Sequence, residues 1–276
     1  SGIGNTFSLM ITQWAGDSLL IAIVLVTLAS LILGMGLPVT AAYIVLGTLS
    51  APALFDLIAN QQLAAAIASG DVGEQAKTML MLVSPEAAAK LGTPMPLEAA
   101  KELVAAIPRE LMAPIREGII DATSLTFALL SAHLIIFWLS QDSNVTPPVC
   151  LTAFTAAAIA KTPAMATGVT SWKIAKALYI VPLLFAYTPF IGGSYIDVFT
   201  IFSFALVGLF AFSGFMQGHL EKPMSWLMRI ALLACGVILL LPLATYIKLV
   251  GLAGFAVILV LNIRSKGVAQ AAAASS

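Results

Sequence analysis

Eight near-continuous apolar stretches limit this chain to folds that a lipid bilayer can surround. Charged residues make up only 9% of the 276 residues, whereas a soluble domain carries about 25%. The net charge of +0 indicates no charged partner. The pattern predicts an all-α polytopic membrane protein, and it excludes a soluble enzyme, a basic nucleic-acid binder and a disordered chain. The stretches are Ser18–Leu33, Val39–Phe55, Ala122–Ser140, Val149–Ala160, Ile174–Ile191, Val198–Met216, Trp226–Leu241 and Tyr246–Leu261.

The first two stretches meet at a break rich in glycine and proline, Gly34-Met35-Gly36-Leu37-Pro38. Asp17 is placed to cap the first arm, and the proline suits the start of the second arm, Val39 to about Phe55. Arms of about 17 residues reach about 25 Å, less than the roughly 30 Å of a bilayer core. We therefore predict a re-entrant helical hairpin rather than two full spans.

A second break, Asp142-Ser143-Asn144-Val145-Thr146-Pro147-Pro148, follows the third stretch. Consecutive prolines remove two backbone donors and push the preceding residue out of the helical region. Non-helical backbone at membrane depth is tolerated only where it lines a cavity or is covered by protein. The segment Ala122–Ala160 is therefore predicted to be one discontinuous helix with an unwound middle.

Cation counting supports a single crossing for this broken helix. With one crossing, most cations beyond the break fall on one side of the membrane, and Lys248 alone lies in an opposite connection. Positive loops mark the cytoplasm, so the C-terminus is expected inside and the hairpin opens outward. The cations on the inner side are Lys161, Lys173, Lys176, Lys222, Arg229, Arg264 and Lys266.

The segment between Asp56 and Asp121 is predicted to form short amphipathic helices on the external face. It either packs on its own membrane domain or serves as a docking surface for an external partner. Its helix starts are Asp71 with Glu74, Ser84-Pro85-Glu86 and Pro96-Leu97-Glu98, and its stops are Gly92 and Pro108. The resulting division is 1–55 hairpin, 56–121 insertion, 122–192 broken helix and following span, 193–263 C-terminal spans and 264–276 cytoplasmic tail.

Two broken helices expose backbone groups that continuous helices hide. Free carbonyls and hydroxyls suit a hard cation such as Na⁺, and free amides at a helix start suit a carboxylate. Secondary transporters place ion and substrate sites at such paired discontinuities near the midplane. The groups available here are the carbonyls around Gly34 and Gly36, the hydroxyls of Thr40, Ser143 and Thr146, and the Asn144 amide.

Single polar residues have more than one interpretation. Asp142 is a cation or proton site or, more commonly, a cap or mouth-facing acid, and His133 is expected to make an interhelical hydrogen bond. No Cys/His metal cluster, catalytic triad or phosphate-binding loop appears in the sequence. Structural roles are expected for Gly214 and Gly218 (helix packing), Cys150 and Cys235 (apolar packing), and Trp14, Trp172 and Trp226 (an aromatic belt).

The residues around both breaks form a recognisable pattern. It comprises ASLILGMGLPVTAAY over Ala29–Tyr43, NVTPPV over Asn144–Val149, then Ala153-Phe154, Ala156–Ala160, Pro163–Gly168 and Val181–Pro189. The pattern resembles the DctM-like large membrane subunit of tripartite ATP-independent periplasmic (TRAP) transporters, in the fused-permease type that works with TAXI binding proteins. The likeness covers about Gly2–Ala53 and Ser131–Ile191, and the chain, which opens without methionine, resembles the C-terminal half of such a permease.

The resemblance implies a Na⁺-coupled importer of organic acids in the bacterial inner membrane, with an elevator-like transport domain of two inverted repeats. A periplasmic binding protein is expected to deliver the substrate. The N-terminal half and a small membrane subunit, or its fused equivalent, are expected to complete the permease. Carried over residue by residue, substrate binding falls on Gly34, Gly36, Pro38, Thr40, Asn144 and Thr146. Na⁺ coordination falls on Gly34, Gly36, Ser143, Asn144, Thr146 and Pro147.

Two other classes of function stay open at this point. An integral membrane enzyme could use His133 and Asp142, although nine residues place them about 180° apart on a straight helix. A non-transporting scaffold subunit is expected to tolerate Gly36→Val at the hairpin tip, where a transporter is expected to fail.

Overall fold

The computed structural model describes residues 3–16, 18–70, 72–73, 77–78, 81 and 92–264. The expected caps at Asp17, at Asp71 with Glu74 and at Ser84-Pro85-Glu86 lie outside the described residues, as does the tail beyond residue 264. Within the described residues the regular structure is helical, which confirms the all-α prediction. The division into five domains stays a prediction.

Twelve α-helices follow one another along the described chain. They are α1 (Ile3–Ala15), α2 (Leu19–Gly34), α3 (Val39–Ser69), α4 (Leu97–Ala105), α5 (Arg109–Ile119), α6 (Ala122–Ser140), α7 (Leu151–Ala160), α8 (Ala164–Ile174), α9 (Val181–Tyr187), α10 (Tyr195–Gln217), α11 (Trp226–Leu240) and α12 (Thr245–Arg264). Two 3₁₀ turns, Gln141–Asn144 and Ala175–Tyr179, precede α7 and α9. The chain folds as two compact units, residues 1–30 with 40–140 and residues 31–39 with 141–276.

Five helical segments among the described residues are long and apolar enough to cross a membrane, which confirms a polytopic protein. Two of these segments extend well beyond the predicted stretches: the one that begins at Val39 and the one that contains Ile174. The stretch predicted over Ile174–Ile191 begins earlier, because Pro163 precedes a helix at Ala164 that continues through the 3₁₀ turn to Tyr187. The segments are Val39–Ser69, Ala122–Asn144, Ala164–Tyr187, Tyr195–Gln217 and Thr245–Arg264.

Helix α3 begins at Val39 as predicted, but the predicted end near Phe55 is wrong. The helix continues for 31 residues to Ser69. Its last part loses continuous hydropathy yet keeps apolar residues at helical spacing, with Leu63, Ala64 and Ile67 fully buried. These side chains form a core with Val104 of α4, Ile115 of α5 and their neighbours. In the described part of the segment predicted as an insertion, α4 and α5 therefore pack on helix α3.

Helix α1 was not predicted as an element. Polar residues such as Ser8 and Thr12 interrupt its apolar run, so hydropathy alone gives a weak signal. Ile11 and Ala15, four residues apart, are nevertheless buried on one face.

Asp121 caps helix α6, since its carboxylate accepts from the hydroxyl (2.6 Å) and the N–H (2.9 Å) of Ser124. These two hydrogen bonds lower the pKa of Asp121.

A buried arginine connects α5 to the part of helix α3 that continues beyond Phe55. The Arg116 guanidinium donates to the Asp56 carboxylate at 2.7 Å and to the Asn60 side-chain oxygen at 2.7 and 3.2 Å. It also lies over the Phe55 ring, 5.7 Å from the centroid. The Arg116 side chain is 8% exposed, whereas that of Asp56 is 49% exposed. Helix α3 therefore binds α5 through these polar contacts as well as through its buried apolar side chains.

Replacing Arg116 with leucine is expected to destabilise the first unit. Breaking a fully buried ion pair costs about 3–5 kcal/mol, and solvent at Asp56 reduces this to about 2 kcal/mol. Thermal unfolding of the purified protein in detergent measures the change. Arg109→Leu, at an exposed position of the same helix, is the matched control. Equal melting temperatures for the two variants would contradict the structural role of Arg116.

The second unit ends in a bundle of α10, α11 and α12. Glycines let these helices approach closely: a Cβ at Gly236 would lie 3.2 Å from the Gly208 carbonyl oxygen, and one at Gly251 would lie 2.8 Å from Ile238 Cγ2. The expected packing role holds for Gly214, whose added Cβ would lie 2.7 Å from Leu220. Gly218 instead ends α10, with a φ of 70°.

Candidate functional site

The hairpin tip is a short turn between two helix ends. Helix α2 ends at Gly34, and its last carbonyls accept from the tip: Gly36 N–H and Leu37 N–H both donate to the Leu33 oxygen, at 3.1 and 3.0 Å. Pro38 then directly precedes α3. The tip, residues 31–39, belongs to the second unit.

The second break has the predicted form of a discontinuous helix. Helix α6 ends at Ser140, a 3₁₀ turn covers Gln141–Asn144, and a helix resumes at Leu151. The N–H groups of Val145 and Thr146 both donate to the Asp142 carbonyl oxygen, at 3.0 and 2.9 Å. The Pro147-Pro148 peptide bond is cis. Helical hydrogen bonding is thus interrupted where the double proline predicted it.

The two breaks meet at Gly34 and Ser143. A Cβ built on Gly34 would lie 3.2 Å from Ser143 Cα and 3.3 Å from its backbone nitrogen. Both residues belong to the second unit and both are buried. A Cβ at Gly34 would therefore be in tight contact with Ser143, which would have to shift by a few tenths of an ångström, so glycine suits this close approach. The hairpin tip therefore packs on the 3₁₀ turn of the broken helix.

Asp142, next to this contact, is a buried acid with one oxygen engaged and one without a partner. Its Oδ1 accepts from the Thr146 hydroxyl at 2.6 Å and from the Tyr179 hydroxyl at 2.5 Å. Trp172 Nε1 donates to the Tyr179 oxygen at 3.2 Å, so α8 and the following 3₁₀ turn support the carboxylate. Asp142 is 1% exposed, and Oδ2 is buried with no hydrogen-bond partner among the described residues.

The more common fate expected for Asp142, a cap or a mouth-facing acid, is therefore wrong. Burial of this side chain depends on Tyr179, which lies 37 residues further along the chain. An acid buried inside a membrane segment is costly and marks a functional group more often than a structural one. Trp172 also belongs to this network, and its place in an aromatic belt stays a prediction.

The other predicted site residues divide between the break and its surroundings. Thr146 is buried, and the Asn144 side-chain oxygen accepts from the Thr152 hydroxyl at 3.3 Å. A Cβ at Gly36 would meet nothing within 4 Å. Pro38 and Thr40 are exposed, and Thr40 belongs to the first unit. The second unit thus brings Gly34 against Ser143, and Asn144, Thr146 and Pro147 follow in the same break. Gly36 and Pro38 are exposed.

Helix α8 packs against the second break at Gly168. A Cβ there would lie 2.7 Å from Cys150 Sγ and 3.4 Å from Pro147 Cγ. Cys150 is buried and free of any disulfide, which fits the apolar packing role expected for it. Gly168 and Tyr179 are the residues of this site that sequence reasoning missed. Their signal was weak, since one is a helix-interior glycine and the other a single tyrosine in an apolar stretch.

His133 has the interhelical hydrogen bond expected for it. Its Nδ1 lies 3.2 Å from the Tyr43 hydroxyl, which joins α6 to α3 within the first unit. The residue thus has a structural partner of its own, and the partners of Asp142 are Thr146 and Tyr179. No described contact assembles a nucleophile, a base and an orienting acid around either residue.

The group at the break has the chemistry of a site for a hard monovalent cation. It combines one free carboxylate oxygen, hydroxyls at Ser143 and Thr146, and backbone carbonyls of interrupted helices. Oxygen ligands of this kind suit Na⁺. Within the described ranges, His, Cys, Asp and Glu side chains form no cluster of three or more of the kind that binds transition metals.

Comparison with known proteins gives one finding. The sequence model of the family described as "Tripartite ATP-independent periplasmic transporter, DctM component" matches residues 1–191. This range includes the hairpin tip, the broken helix and the Trp172–Tyr179 pair, and it stops before α10. No curated protein and no solved structure matches the chain.

Proposed function

The chain belongs to the DctM family of tripartite ATP-independent periplasmic transporters, and from this premise we propose that it is the permease subunit of a Na⁺-coupled importer of organic acids. Membership makes it a multi-pass membrane component of a transporter. The coupling ion, the substrate class and the partners are our proposal. We place the protein in a bacterial inner membrane with its C-terminus in the cytoplasm, because the positive connections accumulate on that side.

The observation that carries the proposal is the unpartnered Asp142 Oδ2 beside the Gly34–Ser143 contact. A buried carboxylate without a counter-ion costs several kcal/mol, and this cost falls when a cation binds. Thr146 and Tyr179 both donate to Oδ1, so that oxygen is occupied and Oδ2 is left for a ligand. Ser143, Asn144, Thr146 and the carbonyls near Gly34 and Pro147 supply further oxygens for Na⁺.

An organic acid is the substrate that the same break favours. Helix α7 starts at Leu151, just beyond the double proline, and its first N–H groups carry the positive end of the helix dipole. A carboxylate suits such a helix start, and bound Na⁺ adds positive charge. Gly34, Gly36, Pro38, Asn144 and Thr146, all in the second unit, are the proposed substrate contacts. A periplasmic binding protein would deliver the acid, and the N-terminal half with a small membrane subunit would complete the permease.

The proposal predicts that Thr146→Val weakens Na⁺ binding. Valine nearly preserves the volume but removes the hydroxyl that holds Asp142 Oδ1. A hydrogen bond to a charged group contributes about 1.5–3 kcal/mol, so Na⁺ affinity should fall by about tenfold or more. Binding of radiolabelled Na⁺ to the purified permease measures this directly, and Na⁺-driven uptake of radiolabelled short-chain mono- and dicarboxylates measures the transport consequence.

Thr155→Val is the matched control, because the Thr155 hydroxyl donates to the Leu151 carbonyl on the exposed side of α7. Its Na⁺ affinity should match that of the unmodified protein. Unchanged Na⁺ affinity in a folded Thr146→Val protein would reject the proposed site. Uptake that is equally fast with Na⁺ replaced by choline would reject Na⁺ coupling itself.

A further inference from the structure

A cation at one end of the C-terminal bundle lies against two neighbouring aromatic rings. Arg229 lies in α11, one turn after its start, and its guanidinium carbon is 5.0 Å from the Trp226 ring centroid and 5.7 Å from that of Phe215. Its Nε donates to the Phe215 carbonyl oxygen at 3.0 Å, near the end of α10. The two cation–π contacts and this hydrogen bond together hold the guanidinium in place.

The outer edge of the same guanidinium has no partner. Among the described residues neither terminal nitrogen of Arg229 has a hydrogen bond, and no acidic side chain forms an ion pair with it. Gly218 makes room for the group, since a Cβ there would lie 3.2 Å from Cζ and from Nη1. A fixed guanidinium with free terminal N–H groups is preorganised for bidentate contact with a phosphate or a carboxylate.

The surroundings add positive charge at this end of the bundle. Helix α11 presents its N-terminus here, capped by the Ser225 hydroxyl, which accepts from the Met228 N–H at 3.4 Å. Lys222 donates from Nζ to the Ile263 carbonyl oxygen at 2.6 Å, which brings it to the end of α12 beside the exposed Arg264. Glu221 is the acid in this connection and is exposed. Positive charge therefore exceeds negative charge around Arg229, which favours the binding of an anion.

Apolar surface continues directly from this cation. Trp226 is 63% exposed and Leu227 is 78% exposed, and large apolar side chains such as Ile230 stay exposed further along α11. Arginine and tryptophan at the end of a membrane helix are typical of the boundary between headgroups and acyl chains. A ligand that fits both parts has a phosphodiester next to a hydrocarbon chain.

We propose that Arg229, which lies against the Phe215 and Trp226 rings, is a headgroup site for an anionic phospholipid. The guanidinium binds the phosphate, and Trp226 with Leu227 contacts the first part of the acyl chains. The site lies beyond residue 191, outside the range matched by the family model, and it does not depend on the proposed Na⁺ coupling. A lipid bound here would stabilise the turn between α10 and α11.

Lipid binding to the purified full-length chain tests this site. We expect phosphatidylglycerol to bind about tenfold more tightly than phosphatidylcholine, as measured by native mass spectrometry in detergent with each lipid titrated separately. Arg229→Gln removes the charge and the fork of donors, so this preference should fall to near parity. Arg109→Gln, at the exposed start of α5 in the first unit, is the matched control and should keep the preference within about twofold.

Three outcomes would overturn the proposal. The first is an Arg229→Gln protein that keeps its preference for phosphatidylglycerol. The second is equal binding of both lipids by the unmodified chain. The third is competition by inorganic phosphate at the same concentration as the lipid, which would indicate a simple anion site. Should Arg229→Gln not fold, Arg229→Lys keeps the charge without the planar fork, and its preference should still fall several-fold in a folded protein.

Discussion

Replacing Asp142 with asparagine is expected to abolish Na⁺-dependent transport while leaving the protein folded. Asparagine has nearly the same shape, and its side-chain oxygen can still accept from Thr146 and Tyr179. The substitution removes the negative charge and replaces the free oxygen with an amide that repels a cation. Loss of a buried charged partner costs about 3–5 kcal/mol, which corresponds to at least about a hundredfold loss of Na⁺ affinity.

Radiolabelled Na⁺ binding and Na⁺-driven uptake of carboxylates are the two measurements for this variant. Asp197→Asn is the matched control, because Asp197 is an exposed acid in the first turn of α10 and accepts only locally, from the Ser194 hydroxyl. It should bind and transport normally. The proposal fails if Asp142→Asn binds Na⁺ as well as the Asp197 variant does. Thermal unfolding separates loss of the site from loss of the fold.

The Asp142→Asn variant also distinguishes a cation-binding role of this carboxylate from a purely structural one. A structural carboxylate that only holds Tyr179 and Thr146 in place would tolerate asparagine, which preserves both hydrogen bonds at Oδ1. Uptake and Na⁺ affinity would then survive together with the melting temperature. A ligand carboxylate gives the opposite result, since the melting temperature survives and Na⁺ affinity does not. The two outcomes thus differ in whether Oδ2 binds the cation.

Local chemistry explains what the sequence could predict of this fold. Glycine and proline act on their own backbone, so Gly34–Pro38 and Pro147-Pro148 predicted a helix end, a helix start at Val39 and an unwound segment at the correct positions. Long apolar stretches depend only on residue type, and they located most of the spans. These features need no knowledge of which residues meet in space.

Features that depend on distant contacts could not be predicted in the same way. Helix α3 runs past Phe55 because Leu63 and Ile67 find partners in α4 and α5, and because Arg116 satisfies its polar face. The burial of Asp142 is a property of its packing against Tyr179 and Trp172, which periodicity does not relate to residue 142. The sequence makes Asp142 one candidate among others, and its unpartnered oxygen becomes visible only in the structure.

Enlarging Gly34 is expected to stop transport in proportion to the size of the new side chain. An alanine Cβ would lie 3.2–3.3 Å from backbone and Cβ atoms of Ser143, and backbone cannot move aside as a flexible side chain can. Overpacking of this kind costs about 1–3 kcal/mol. We expect Gly34→Ala to reduce Na⁺-driven uptake several-fold and Gly34→Val to abolish it, with Na⁺ affinity falling in the same order.

Gly47→Ala in α3 is the control for this series, because a Cβ there would meet nothing within 4 Å and uptake should change by less than about twofold. A Cβ at Gly36 would also meet nothing within 4 Å. The structure thus moves the steric test of the tip from Gly36, where the sequence pointed, to Gly34. A scaffold subunit without transport activity would show no graded effect on uptake or Na⁺ binding at either glycine. If Gly34→Val transports normally, the contact between tip and broken helix is not needed for transport, and the cation site must be sought elsewhere.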